Sequence, residues 1–267
     1  MTAVERLPTR SAAPAGGQPE VSVVVVTYRS ASYVGRCLSA LNVALRGVPA
    51  EVVVVDNASG DGIREAVAAV APHALVVVRK QNGGFAAGCH AGAAVARGRR
   101  LVFVNPDAMV EPGCVAALLD CADRNPDAGI VGGRCVDEDG RTDPRSWFGR
   151  PTLWSVLCFA TGLSTAFPGH RLFDPESPRL LSGERKVPVV SGALMLVERA
   201  TWDDLGGFDP TYFLYGEDAD LCLRAAARGW RPVVTPEAVF IHPGGASSSS
   251  ELKQVFLFTG KATLVRR

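Results

Sequence analysis

The sequence has almost no net charge and contains no paired cysteine motif. Its 267 residues hold 28 Lys and Arg against 27 Asp and Glu, a formal net charge of +1. No global field therefore favours nucleic acid or a strongly acidic partner. The seven cysteines are scattered and include no CxxC pair. Such a set disfavours a disulfide framework or a zinc site and indicates reduced thiols in a cytoplasmic protein.

The apolar core of a signal peptide is also missing. Residues 1–20 are rich in Ala, Pro and Gly, which predicts a disordered leader. One uncharged stretch, 151–168, approaches the length of a membrane span, but its Ser, Thr, Gly and bounding prolines favour a buried or surface-lying helix. Because Arg145, Arg150 and Arg171 flank it, peripheral docking on anionic lipid is the alternative to ordinary packing. The stretch 255–267 has a similar make-up.

Short β-branched runs without alternation recur through the first half of the chain. They lie at Val21–Thr27, Glu51–Val55, Leu75–Val78 and Leu101–Val104, and helical stretches separate them. Strands that lack alternation are typical of a parallel sheet covered on both faces. We therefore predict an α/β fold whose mostly parallel sheet carries helices on both faces. The second half is more irregular and predicts a smaller mixed region.

Polar residues follow three of these strands. Thr27, Asp56 and Asp107 stand at strand carboxyl ends, where such sheets bind ligands. Asp107, in an Asn-Pro-Asp turn, either caps that turn or holds a divalent cation, since Mg²⁺ and Mn²⁺ usually take one or two carboxylates plus substrate phosphates. Asp56 either forms an Asx turn or accepts hydrogen bonds from a nucleobase or ribose.

Other candidate positions lie further along. The glycines after Asn82 allow either a tight turn or a close approach of phosphate to a helix N-terminus. Three carboxylates in 216–220 suit either the helix dipole or a general base, because clustered carboxylates raise one another's pKa. His242, which follows a strand, is either structural or a metal ligand.

Six segments stand in an order that resembles a known family. They are VSVVVVTY, VVVVDNASGDG, QNGGFAAG, FVNPDAMV, GGFDPTYFLYGEDADLCLR and IHPGGAS. Together they resemble the family-2 inverting glycosyltransferases of the GT-A fold, and within them the bacterial rhamnosyltransferase-like group that builds cell-wall and surface polysaccharides. The similarity spans residues 21–247. It implies a nucleotide-binding half at 21–136, an acceptor-binding half at 137–247, and a C-terminal tail or helix at 248–267.

The resemblance also implies a reaction and its residues. A sugar, with rhamnose as one candidate, would pass from a dTDP- or UDP-linked donor to a glycan or lipid-linked acceptor with the help of Mg²⁺ or Mn²⁺. Asp218 would be the catalytic base, with Glu217 and Tyr215 on the acceptor side. Asp107 would bind the metal and His242 would complete its site. The implied nucleotide-sugar contacts are Thr27, Asp56, Asn82, Gly83, Asn105 and Asp107.

The sequence departs from the family pattern at two places. Asn105 replaces the first acid of the family's Asp-x-Asp motif, and residues 87–90 differ from the small residues and paired Asn often found there. Two other functions stay open. A sugar-phosphate nucleotidyltransferase would need a Gly-rich phosphate loop after the first strand, where Tyr28, Arg29 and Ser30 stand instead. A catalytically inactive saccharide-binding module is the second.

Overall fold

The computed structural model describes residues 3–6, 17–143, 146–177, 182–242 and 250–266, with side chains from residue 17 onward except 250–253. Its first half is built on strands β2 (Val21–Thr27), β3 (Ala50–Asp56), β4 (Leu75–Val78) and β5 (Arg100–Val104). These four pair in parallel in the order β4-β3-β2-β5. Helices α1 (Ala31–Ala44), α2 (Ile63–Val70) and α3 (Gly84–Ala93) connect them.

Burial on both faces explains why the strands lack alternation. Every residue of β2 is buried, and Val23 and Val25 pack into one core while Val24 and Val26 pack into another. Helix α3 covers the second face at close range. A Cβ at Gly88 would lie 2.4 Å from a methyl of Val26, so only a glycine allows this contact.

The sheet continues through the second half of the chain. The strands that follow β5 in this sheet are β6 (Met109–Val110) and β7 (Ile130–Val136), and then, beyond residue 136, β9 (Arg185–Lys186), β11 (Leu194–Glu198) and β12 (Val233–Ile241). Strand β11 lies antiparallel between β5 and β7, and β12 runs parallel to β7. Both predicted halves therefore share one mostly parallel sheet among the described residues. A two-stranded sheet joins β8 (Trp147–Phe148) to β10 (Val189–Val190).

Six further helices follow α3 among the described residues. They are α4 (Cys114–Arg124), α5 (Leu153–Ala160), α6 (Leu163–Ala166), α7 (Arg199–Leu205), α8 (Glu217–Ala227) and α9 (Ser250–Val265). Helix α4 begins after Gly113, whose φ is +82°. Pro112 therefore precedes the helix, although a proline here would be expected at the first helical position.

Strand β1 (Ala3–Arg6) lies within the segment predicted to be a disordered leader. It pairs antiparallel with β4, which would otherwise be an edge strand with unpaired backbone groups. The prediction of disorder missed these four residues because a pairing partner more than 60 residues away leaves no local pattern.

The uncharged stretch 151–168 forms two short helices on the surface, α5 and α6, and does not form a buried helix. Leu153 is 77% exposed, while the hydroxyl of Thr152 caps α5 by accepting from the backbone N–H of Ser155. Among the described residues, no helix has the length and apolarity needed to cross a bilayer. All seven cysteines are buried free thiols.

Candidate functional site

A cavity of about 820 Å³ opens at the carboxyl ends of the strands. Loops after β2, β5 and β12 contribute to its wall, as the parallel topology requires. The fold thus brings together side chains from distant segments of the chain. The predicted site residues that line this cavity are Asn82, Asn105, Asp107, Tyr215, Glu217, Asp218 and His242.

Asp107, which precedes β6, and His242, which follows β12, lie next to each other beside these two paired strands. The His242 Nε2 atom lies 3.2 Å from Asp107 Oδ1 and 3.2 Å from Asn105 Nδ2. Both side chains are largely buried, 13% exposed for His242 and 9% for Asp107. Strand β12 ends at Ile241 and pairs with β6, which directly follows the turn that carries Asn105 and Asp107, so this strand pairing brings the two side chains together.

These residues fit a divalent cation that is also held by substrate. The described part of the chain contains no cluster of three or more His, Cys, Asp and Glu able to bind a metal by itself. Asp107 and His242 supply one oxygen and one nitrogen, which suffices for Mg²⁺ or Mn²⁺ when substrate phosphates supply further ligands. The Asn105 amide approaches the same histidine nitrogen and orients the ring.

Thr27 and Asp56 lie behind the cavity wall. The hydroxyl of Thr27 is fully buried and donates to the carbonyl of Val55 at 3.0 Å. Asp56 is 6% exposed, and its Oδ1 accepts from the backbone N–H of Ser59 at 2.8 Å. This is the Asx turn considered from the sequence. Gly83 is likewise not among the described residues that line the cavity.

Asn57, which the sequence reading did not single out, organises this loop. Its Nδ2 donates to Asn82 Oδ1 at 2.8 Å and to the carbonyl of Gly84 at 3.0 Å. Its Oδ1 accepts from Arg79 Nη1 at 2.6 Å. Asn57 is 2% exposed yet borders the cavity. Its place beside Asp56 was the available signal, since loops after parallel strands form such sites.

The N-terminus of α3 contacts protein. The backbone N–H of Phe85 donates to the carbonyl of Phe213 at 2.8 Å, and Gly84 has a φ of +84°. A Cβ at Gly84 would lie 2.2 Å from that carbonyl oxygen. Gly84 therefore allows α3 to contact the loop that carries Phe213 and Tyr215, called here the aromatic loop, as in the tight-turn alternative.

Glu217 and Asp218 are the first two residues of α8, and both line the cavity. Asp218 is partly exposed, and its Oδ2 accepts from the backbone N–H of Gly192 at 3.0 Å. Its Oδ1 accepts from the N–H of Ala219 at 2.8 Å. Glu217 is 5% exposed, and its Oε2 has no hydrogen-bond partner in the described structure.

Burial dominates the electrostatics of this pair. It raises the pKa of Glu217 to about 8, with the charge of Asp218 adding to the effect. Burial also raises the pKa of Asp218, while hydrogen bonds from Gly192 and Ala219 oppose the rise. The two carboxyls thus differ. Glu217 is mostly protonated at neutral pH, and Asp218 is the more exposed of the two acids that line the cavity.

The third acid of the cluster has a structural partner. Asp220 Oδ2 accepts from Arg224 Nε at 2.7 Å, and the same guanidinium donates to the carbonyls of Leu205 and Gly207. This network ties α8 to the end of α7. The turn before α8 is strained, because Tyr215 has a φ of +67°.

The C-terminal helix, which the sequence analysis expected as a tail or helix without a place in the site, also reaches the cavity. Phe256, Leu257, Lys261 and Leu264 line it. Their sequence carries no local motif, so no pattern placed them there.

The comparisons agree with this geometry. The family model described as "Glycosyltransferase like family 2" matches residues 19–256. The chain is 32% identical over 241 residues to the N-acetylglucosaminyl-diphospho-decaprenol L-rhamnosyltransferase of Mycobacterium tuberculosis, which covers 82% of this chain and 75% of that protein.

Solved structures share the fold. The mannosyltransferase PcManGT from Pyrobaculum calidifontis, solved with GDP-Man and Mn²⁺, superposes with a TM-score of 0.62 at 22% identity, covering 93% of this chain and 70% of that one. Residues 1–349 of Staphylococcus aureus TarS with UDP give 0.58 at 18%, covering 91% and 65%. Both likenesses establish the architecture, and the sequence match sets the family. This chain belongs to the glycosyltransferase-like family 2.

Proposed function

We propose that this chain transfers a sugar from a nucleoside-diphosphate donor to an acceptor hydroxyl with inversion, using a divalent metal. One observation carries the proposal. The Asp107–His242 pair and the Asp218 carboxylate line one cavity. A phosphate-binding group and a base in a single pocket are the minimum for a direct displacement at an anomeric carbon.

Asp107 and His242 would hold Mg²⁺ or Mn²⁺. When bound, the metal neutralises charge on the departing diphosphate. The pair lies 3.2 Å apart, so the side chains need little rearrangement. The Asn105 amide contacts the same imidazole nitrogen, Nε2, and helps to orient the ring.

Asp218 is the proposed base. As the acceptor oxygen bonds to the anomeric carbon, the bond from that carbon to the diphosphate oxygen breaks, and Asp218 takes the hydroxyl proton. A single displacement inverts the configuration. The amides of Gly192 and Ala219 fix the carboxylate, and their hydrogen bonds oppose the rise in the pKa of Asp218 that burial causes. Tyr215 belongs to the acceptor side of the wall.

The nucleotide, dTDP or UDP, is proposed to bind at the loops after β2 and β3. Tyr28 and Asn57 line the cavity there, and Asn82, in the loop after β4, lines it beside Asn57. Thr27 and Asp56 stay predictions for this subsite. Their burial supports a role in shaping the loop, with Gly83 bordering it. The Mycobacterium relative's name includes a rhamnosyl group, which makes rhamnose the first sugar to test.

The acceptor is proposed to be a glycan on a lipid diphosphate, used in cell-wall or surface polysaccharide synthesis at the cytoplasmic face of the membrane. The relative's name describes such an acceptor. An exposed apolar rim supports peripheral docking. Arg150 and Arg171 flank it and are exposed, whereas Arg145 lies outside the described residues. The rim consists of Leu153, Trp154, Leu157, Phe167, Leu172 and Val255.

Release of nucleoside diphosphate tests the proposal. The protein is incubated with a panel of dTDP- and UDP-sugars and Mn²⁺, with and without acceptor. We expect slow hydrolysis of one donor alone and faster release with acceptor. An inactive saccharide-binding module would release none, and a nucleotidyltransferase would form donor from a nucleoside triphosphate and release pyrophosphate. Either result would replace the proposed function.

A further inference from the structure

Helix α9 packs directly on the turn that presents Asp218. A Cβ at Gly260 would lie 2.4 Å from the carbonyl oxygen of Tyr215, so a glycine is needed for this approach. The rings of Phe256 and Phe213 stack with centroids 5.3 Å apart and an angle of 20°. Gly260 and Phe256 thus pack α9 against the loop that carries Phe213 and Tyr215, beside Lys261.

Lys261 is the charged side chain that α9 brings to the cavity. Its Nζ lies 2.5 Å from Glu176 Oε2 and 5.3 Å from the ring centroid of Phe159. The side chain is 21% exposed. Burial raises the pKa of Asp218, and the charge of Lys261 opposes that rise, which places the ammonium within electrostatic reach of the proposed base.

Lys261 is one of two basic side chains among the described residues that line the cavity, and the other is Arg29. The acidic side chains that line it are Asp107, Glu176, Glu217 and Asp218. The Arg29 guanidinium lies over the Tyr28 ring, 5.3 Å from its centroid, in the loop after β2. An anionic acceptor would therefore meet acids near Asp218 and one cation, Lys261.

We infer that Lys261 recognises phosphate on an acceptor whose sugar is carried by a diphosphate, which makes α9 part of the acceptor site. The inference rests on the proposed function, because it assigns the acceptor's anionic group. A lysine ammonium has three N–H donors, and Glu176 accepts one of them. The others are available to phosphate oxygens, for which a lysine acts as a point charge. The apolar rim beside α9 suits the lipid that follows.

Two acceptors with the same sugar separate this role from a structural one. One carries the sugar on a short prenyl diphosphate, and the other is an uncharged alkyl glycoside. Lys261→Gln should raise KM for the diphosphate acceptor about tenfold or more, the scale for losing a contact to a charged group. Its KM for the uncharged glycoside should stay within about twofold of wild type, whatever change in kcat the lost charge near Asp218 causes for both acceptors. Lys261→Arg should retain the preference.

The matched control is Lys186→Gln. Lys186 Nζ pairs with Asp127 Oδ2 at 2.8 Å on the exposed surface and does not line the cavity. This variant should change neither KM. An equal loss of both acceptors in Lys261→Gln would overturn the inference, since it would show an effect through the fold or through Asp218. So would a wild-type enzyme that does not distinguish the two acceptors.

A binding measurement keeps the inference independent of turnover. Prenyl diphosphate and prenyl alcohol are titrated calorimetrically in the presence of nucleoside diphosphate and Mn²⁺ in excess over all phosphate. Wild type should bind the diphosphate more tightly, and Lys261→Gln alone should lose that difference. If wild type transfers no sugar but shows this pattern, the proposed function fails and the phosphate site stands. If wild type and Lys261→Gln bind prenyl diphosphate equally well, Lys261 does not form a phosphate site.

Discussion

Glu217 shows at the scale of one residue how burial sets a charge state. Burial and the charge of Asp218 raise its pKa from 4.5 to about 8. The folded protein therefore binds more protons than the unfolded chain between these values, and stability falls as pH rises through this window. Below pH 4.5 both states are protonated and the penalty is absent.

Glu217→Gln should remove this dependence. We expect the variant to be more stable than wild type at pH 8 by on the order of 1–3 kcal/mol, the scale of an unsatisfied buried group, and the advantage to vanish near pH 4.5. Urea unfolding across this range measures it. An advantage that stays constant with pH would show that Glu217 does not titrate in the folded state.

A substitution of Asp107 tests the proposed metal site in the cavity. Asp107→Ala should abolish the gain in nucleoside-diphosphate affinity that Mn²⁺ gives, because His242 alone offers a single protein ligand. Calorimetric titration with and without Mn²⁺ measures the gain, and thermal unfolding confirms the fold. A full metal-dependent gain in the variant would mean that Asp107 is not a ligand.

At this scale the sequence predicts the position of residues that follow a strand, while their roles stay predictions. Asn105, Asp107 and His242 lie at the ends of β5 and β12, and the topology of the sheet brings them together. It could not find Lys261, because a helix that packs from the C-terminus leaves no spacing motif. It also could not tell whether Thr27 is accessible, since burial depends on tertiary packing.

Elements were predictable where they are repetitive. The four parallel strands and their helices follow from β-branched runs, and Leu75–Val78 lies as expected. Strand β11 reverses direction between β5 and β7, and long-range antiparallel pairing has no local signature. For the same reason the predicted boundary at residue 136 falls inside a sheet that continues past it.

The contact between α3 and the aromatic loop gives an element-scale prediction. Gly84→Ala places a methyl 2.2 Å from the Phe213 carbonyl oxygen at a φ of +84°. It should destabilise the protein by about 2–4 kcal/mol and raise the donor KM, since the clash adds to backbone strain. Gly113→Ala, with a φ of +82° and open space around it, should cost only about 1–2 kcal/mol. Equal costs would show that the contact is unimportant.

At the scale of the whole molecule, the apolar rim predicts reversible membrane binding. The protein should float with anionic liposomes at low salt and dissociate at high salt, because screening weakens lipid–arginine attraction. Leu153→Glu, at a side chain 77% exposed, should reduce flotation without lowering the melting temperature. Wild-type protein that stays with the unbound fraction at low salt would remove the docking proposal.

We propose that one cavity binds the donor and that Asp218 activates the acceptor. Single-turnover sugar transfer by Asp218→Asn at saturating donor tests it most directly, with Asp220→Asn as the matched acid on the same helix, paired to Arg224. We expect nearly normal donor binding and transfer slowed at least about 10²-fold for Asp218→Asn, whereas Asp220→Asn loses stability but keeps its turnover per folded molecule. Wild-type transfer by Asp218→Asn would contradict the account.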